Sequence, residues 1–211
     1  MTIFQRNITM SLICKDDETL RRTSVRKLKP LAFNLNLIQQ LSELSWLPVD
    51  NNVSIAEMEQ AFRSIVRTKR FSRWTDLLLV SVGNAAFCRL FNGDLWAMLT
   101  VFAATLLGFL VKQQLSRLKY NPLGVIILSA FAASMAAACA VIFQLGSTPQ
   151  IALATSVLFL VPGVQMINSI MDLMHGHILM GISRGVHSIM MISCITIGLS
   201  ATMLIVGVNS L

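Results

Sequence analysis

After Trp74 the chain carries four apolar blocks, at about 95–112, 122–143, 150–171 and 182–208. Each is long enough, or nearly so, to cross the roughly 30 Å hydrocarbon core of a bilayer, which takes about 20 helical residues. A fifth block at about 75–91 is shorter and ends on Arg89. It spans only with Trp74 and the stem of Arg89 at the two interfaces, where aromatic rings and snorkelling cations are tolerated. The charges lie elsewhere: residues 1–76 hold 12 of the 17 Lys/Arg and 8 of the 10 Asp/Glu, leaving Asp94 and Asp172 as the acids of the remainder. With 55% hydrophobic and 13% charged residues, against about a quarter charged in water-soluble domains, a soluble enzyme, a disordered chain and a nucleic-acid-binding domain are excluded as whole-chain readings. The expected fold is an all-α polytopic membrane bundle of five transmembrane helices over residues 74–211, preceded by a small α+β cytoplasmic domain over residues 1–73.

The positive-inside rule orients the spans. Arg63, Arg67, Lys69, Arg70 and Arg73 crowd the entrance to the first, placing the N-terminus in the cytoplasm. Asn92-Gly93-Asp94 reads as a tight outer turn, with Gly93 suited to the reversal. Lys112, Arg117 and Lys119 mark the next loop as cytoplasmic, and the uncharged stretch 144–150 falls outside. The loop around 172–184 falls inside and the tail 209–211 outside. No secretory signal is visible in the first thirteen residues.

In the N-terminal region, 7–13 alternates Ile8, Met10 and Leu12 with Thr9 and Ser11, the pattern of a half-buried strand. Asp16-Asp17-Glu18 reads as a turn, and 19–28 as the second strand of a hairpin. Leu35, Ile38, Leu41 and Leu44 recur at helical spacing, with Pro48 stopping that helix. Ser54-Ile55-Ala56-Glu57 forms a capping box for a helix in which Met58, Ala61, Phe62 and Ile65 share a face. Such a unit has little core of its own and needs a partner surface or a further segment. The basic run Arg21, Arg22, Arg26, Lys27 and Lys29 reads as a solvated strand face beside an anionic leaflet rather than a nucleic-acid surface.

The informative stretch is 159–184, FLVPGVQMINSIMDLMHGHILMGISR. Pro162-Gly163 falls near the middle of the fourth span, where proline removes a donor and clashes with the preceding turn. Two readings follow: a simple proline kink, or a helix break whose freed backbone groups serve a solute, as in secondary transporters. Gln165, Asn168 and Asp172 then recur on one face, and polar groups on an apolar helix turn toward the bundle interior or water because lipid penalises them. Asp172 reads either as a relay for a proton or substrate, or as an interfacial partner of Arg184.

His175, His177 and His187 titrate near neutral pH and are candidates for proton coupling. The first two are read as interfacial loop residues and His187, a turn into the last span, as buried. Gly176, Gly181 and Gly185 are assigned to the helix packing class, the last two at small-xxx-small spacing. Cys14, Cys88, Cys139 and Cys194 lack paired or metal-type spacing and read as small buried apolar residues. No metal site, cofactor site or catalytic motif is present.

The segment VPGVQMINSIMDLMHGHILMGISRG resembles the signature of the threonine/serine exporter (ThrE) family. A Pro-Gly pair precedes an acid by ten residues, and Gly176, Gly181 and Arg184 follow in a Gly-x-x-x-x-Gly-x-x-Arg element. The likeness covers almost the whole chain and is strongest to the long subunit of the split, two-component type. It implies a bacterial inner-membrane secondary exporter of small carboxylate-bearing metabolites, threonine/serine or succinate, drawing on the proton gradient. It further implies a separate short membrane subunit as partner, hence a hetero-oligomer. One departure is that such subunits carry a further, mostly helical stretch ahead of the hairpin. This chain starts just before it, implying a truncated start or a reduced cytoplasmic domain.

The expected substrate path comprises Pro162, Gly163, Gln165, Asn168, Asp172 and Arg184, with Arg184 attracting an anionic substrate as a planar, permanently charged donor. Arg89 is a second candidate carboxylate ligand. The rival reading is a non-transporting membrane scaffold whose basic domain recruits a partner; it leaves the polar stripe beyond a helix break unexplained.

Overall fold

The computed structural model describes residues 2–4, 7–13, 21–27, 35–50, 54–66 and 72–207. The chain divides into two compact units, Met1–Arg70 and Phe71–Leu211.

In the first unit, β1 (Thr2–Phe4), β2 (Asn7–Ile13) and β3 (Arg21–Lys27) form an antiparallel sheet in that order. Asn7 pairs with Lys27 and Ile13 with Arg21, so the two strands expected from the alternation meet in register. β1, too short for a periodicity to register, pairs Thr2 with Thr9. The acidic turn at residues 16–18 and Cys14 lie outside the described residues. α1 (Leu35–Asp50) runs through Pro48 instead of stopping there. Proline's fixed φ is helical, and its missing N–H forfeits one bond in the last turn. α2 (Ile55–Val66) opens on the expected capping box: Glu57 N–H donates to Ser54 Oγ at 3.3 Å, and Ser54 N–H to Glu57 Oε2 at 3.0 Å.

The second unit is a helical bundle built from α3 (Arg73–Leu90), α4 (Leu95–Arg117), α5 (Pro122–Ile142), α6 (Pro149–Thr155), α7 (Gly163–Met174) and α8 (Ile178–Val206). α5 is its centre, packed against α4, α6 and α8. The Ser/Ala-rich sequence explains why: Ala130, Ala133, Ala137, Ala138 and Ala140 are all fully buried, and their small side chains let neighbouring backbones approach. At Gly198 of α8 an added Cβ would sit 2.6 Å from the Ile127 carbonyl oxygen. Ser134 and Thr202 join the same two helices through a buried 2.7 Å hydroxyl pair.

Among the described residues three helices, α4, α5 and α8, are long and apolar enough to cross a membrane, and α6 with α7 makes a fourth crossing if that bent pair counts as one span. The expectation of five is thus met for three or four. α3, with 18 residues, would reach about 27 Å, but it carries Arg73, Asp76 and Arg89 and falls short in apolarity. α8 begins four residues earlier than expected, so Arg184 lies in its second turn rather than its first. At the 92–94 turn the positive φ falls on Asn92, not Gly93. Gly93 is required by proximity instead, since a Cβ there would strike Cys88. The same turn meets the 143–148 loop, where Asp94 caps α4 through Ala97 N–H and also accepts from Ser147 N–H. Cys88 and Cys194 are buried as expected, but Cys139 is exposed. It sits on the flank of α5 turned away from the packed alanines.

Candidate functional site

α6 ends at Thr155, a 3₁₀ turn follows at Leu158–Leu160, and α7 starts at Gly163. The two arms are bent by 61° at Val161-Pro162. Ser156 N–H closes the last turn of α6 on the Ala152 carbonyl, and no backbone amide among the described residues bonds the carbonyl of Thr155. A side chain from α3 supplies the donor: Asn84 Nδ2 donates to Thr155 O at 3.2 Å and to Thr105 Oγ1 of α4 at 2.7 Å. Asn84 is 4% exposed and Thr105 fully buried. In an apolar interior an unmade hydrogen bond costs about 1–3 kcal/mol, so the break persists because a neighbouring helix satisfies it.

α7 then turns its polar face to α8. Ser169 Oγ donates to the Gly181 carbonyl at 2.7 Å, and Arg184 Nη1 donates to Asp172 Oδ2 at 2.6 Å. The ion pair is partly shielded, with side-chain exposures of 21% for Asp172 and 39% for Arg184. Gly181 and Gly185 make this approach feasible: a Cβ on Gly181 would strike Leu173, and one on Gly185 would lie 2.9 Å from Ser169 Oγ. Asn168 is half-buried beside this row. Gln165 presents a buried Oε1 with no hydrogen-bond partner.

The helices are joined by His175-Gly176-His177. Gly176 has φ +80° and nothing within 4 Å of where a Cβ would be, so it serves the turn and not helix packing. His177 N–H closes the turn on the Asp172 carbonyl at 2.8 Å, and the His175 ring contacts the Met171 carbonyl at 2.7 Å. His175 and His177 are exposed, and so, against expectation, is His187. No side-chain hydrogen bond among the described residues joins a histidine to Asp172, and no cluster there has a metal-binding set. Arg89 bonds the Gly93 carbonyl at 3.1 Å, closing its own turn.

A family model described as "Putative threonine/serine exporter" (ThrE) matches residues 1–206. The chain belongs to this family. The "Probable succinate transporter subunit YjjP" of Escherichia coli (strain K12) is 34% identical over 175 residues, covering 81% of this chain and 66% of that protein. The protein of the same description from Klebsiella aerogenes is 31% identical over 194 residues, covering 90% and 73%. The matched stretch thus spans just under two thirds of the E. coli relative's length. No solved structure matches. The ThrE chain is a membrane-embedded protein of a transporter family.

Of the residues expected on the path of this ThrE chain, Asp172 and Arg184 are brought together directly. Pro162 and Gly163 form the break, and Gln165 and Asn168 extend the face beyond it. What the sequence reading missed is Asn84, with Thr105 and Ser169. The signal was present: an asparagine in the middle of an apolar block is costly enough in a membrane to require a partner.

Proposed function

We propose that this chain is the long subunit of a two-component secondary exporter in the bacterial inner membrane, moving small carboxylate-bearing metabolites, threonine/serine or succinate, out of the cell. Its N-terminal unit is the cytoplasmic domain, and α3 counts as the first of five spans, with Trp74 and Arg89 at its ends. The short membrane subunit completes the carrier, and the proton gradient drives it.

The observation that carries this reading is the Asp172–Arg184 pair, at 2.6 Å, on a helix hairpin that follows a 61° break in an apolar pair. An ion pair in such a setting is retained at a cost unless it serves a polar passage. Arg184 draws the substrate carboxylate from the cytoplasm. A proton taken by Asp172 removes half of the pair and releases Arg184, which couples proton entry to a change in the α7–α8 hairpin. Asn168 and Gln165 line the route to the Pro162–Gly163 break, with His175, His177 and His187 as further candidate proton carriers along α8 and its entrance.

The test is counterflow of labelled threonine and of labelled succinate in vesicles containing this chain, with and without the short subunit. Flux of either compound with both subunits supports the exporter. A non-transporting scaffold gives none in either case.

A further inference from the structure

A groove of about 520 Å³ lies between α3 and the helix break, within the range of about 300–1,000 Å³ typical of small-molecule clefts. Its walls include Gly83, Asn84 and Phe87 of α3, Phe159 of the 3₁₀ turn, and Gly163 and Val164 at the start of α7; none of the described residues lining it is charged. Phe87 and Val164, which line it, are about half exposed, so the groove opens on the outside of the bundle.

Two sets of unmet polar groups stand at this groove. The first is Asn84. The Thr155 carbonyl can only accept, so the atom facing it must be Nδ2, and both Nδ2 protons are spent on Thr155 O and Thr105 Oγ1. That leaves Oδ1 of a side chain 4% exposed with no hydrogen-bond partner among the described residues. The second is the first turn of α7. Gly163 N–H bonds the Val161 carbonyl and Met166 N–H bonds Pro162, but the amides of Val164 and Gln165 find no acceptor among the described residues. The positive end of the α7 dipole therefore meets the groove with free donors.

We propose that this groove is the substrate pocket of the exporter and that it takes a net-neutral α-amino-acid zwitterion. This rests on the exporter reading and adds where the substrate sits and what selects it. The carboxylate accepts from the α7 amides, and the ammonium donates to Asn84 Oδ1. A dicarboxylate would leave Oδ1 unpaired and bring two negative charges into a groove without a cation, which is the unfavourable case for buried ions. Asn84 is thus both the strut of the helix break and a specificity-determining residue.

Gly83 makes the test clean, because a Cβ there meets nothing within 4 Å. Gly83→Leu adds its side chain at the groove from a position where the Cβ has open space, while Val82→Leu, on an exposed face outside it, serves as control. In counterflow with both subunits, Gly83→Leu is expected to raise the half-saturating threonine concentration by at least about tenfold, the equivalent of one lost hydrogen-bonded contact; Val82→Leu stays near wild type. Separately, alkylation of Gly83→Cys by N-ethylmaleimide, read at that site by mass spectrometry in membranes, is slowed by threonine and not by succinate. Normal threonine flux through Gly83→Leu, or alkylation indifferent to threonine, overturns the pocket. Equal protection by succinate overturns its selectivity. If the wild-type pair moves neither compound the exporter reading falls, and the alkylation result still decides whether the groove binds an amino acid.

Discussion

Asp94 and Thr148 hydrogen-bond each other in both directions: the Asp94 amide donates to Thr148 Oγ1 at 2.9 Å, and the Thr148 hydroxyl donates to Asp94 Oδ1 at 3.0 Å. With Ser147 N–H on the second carboxylate oxygen at 2.8 Å, the α3–α4 turn and the α5–α6 loop are tied at one end of the bundle. The Ser147 amide, then that of Ala97, hold the Asp94 carboxyl below its ordinary 3.8, with desolvation opposing. A carboxyl lowered in the folded state stabilises fully above its unfolded value and loses that contribution as pH falls through its folded one. Asp94→Asn, which keeps one acceptor but not the second, therefore unfolds at lower temperature than wild type at about pH 6, and the gap narrows below about pH 3.8. Thermal unfolding in detergent across that range is the check, and a gap independent of pH would assign the tie to something other than the carboxylate.

Replacing Asp172 by Asn is expected to reduce export to the level of empty vesicles while the protein remains in the membrane at wild-type abundance. Exchanging the partners, Asp172→Arg with Arg184→Asp, preserves the pair and the fold but does not restore flux, because the proton-accepting group then sits on α8. Counterflow and membrane quantification read both variants. Full transport by Asp172→Asn would remove the relay.

Gln165→Leu separates structure from function at the buried, unpartnered Oε1. An unsatisfied buried acceptor costs about 1–3 kcal/mol, so the apolar replacement leaves stability unchanged or raises it. If Gln165 faces the passage, flux falls in the same variant. A gain in unfolding temperature with normal flux would make the residue a packing fault.

Gly198→Val is expected to destabilise the bundle by about 1–3 kcal/mol, since its Cβ would meet the Ile127 carbonyl oxygen at 2.6 Å and Ala130 Cβ at 2.8 Å. Gly83→Ala, with nothing within 4 Å, is its opposite and is worth up to about 1 kcal/mol in favour through helix propensity. Unfolding temperatures of the two variants should move in opposite directions.

Much of this was readable along the chain because it depends on local chemistry. The apolar blocks, the capping box at Ser54 and Glu57, the strand alternation at 7–13 and the break at Pro162 each follow from a residue and its near neighbours. The four-residue step from Asn168 to Asp172 likewise puts the polar groups on one face before any fold is known. Contacts distant in sequence are different in kind. Asn84 reaches a carbonyl 71 residues away. His187 faces outward although its surroundings in sequence are as apolar as those of a core residue. Periodicity gives the angle between side chains of one helix; it carries no information about which neighbour lies opposite. That follows from how whole helices dock, and docking here is set by alanine and glycine surfaces whose fit exists in three dimensions alone.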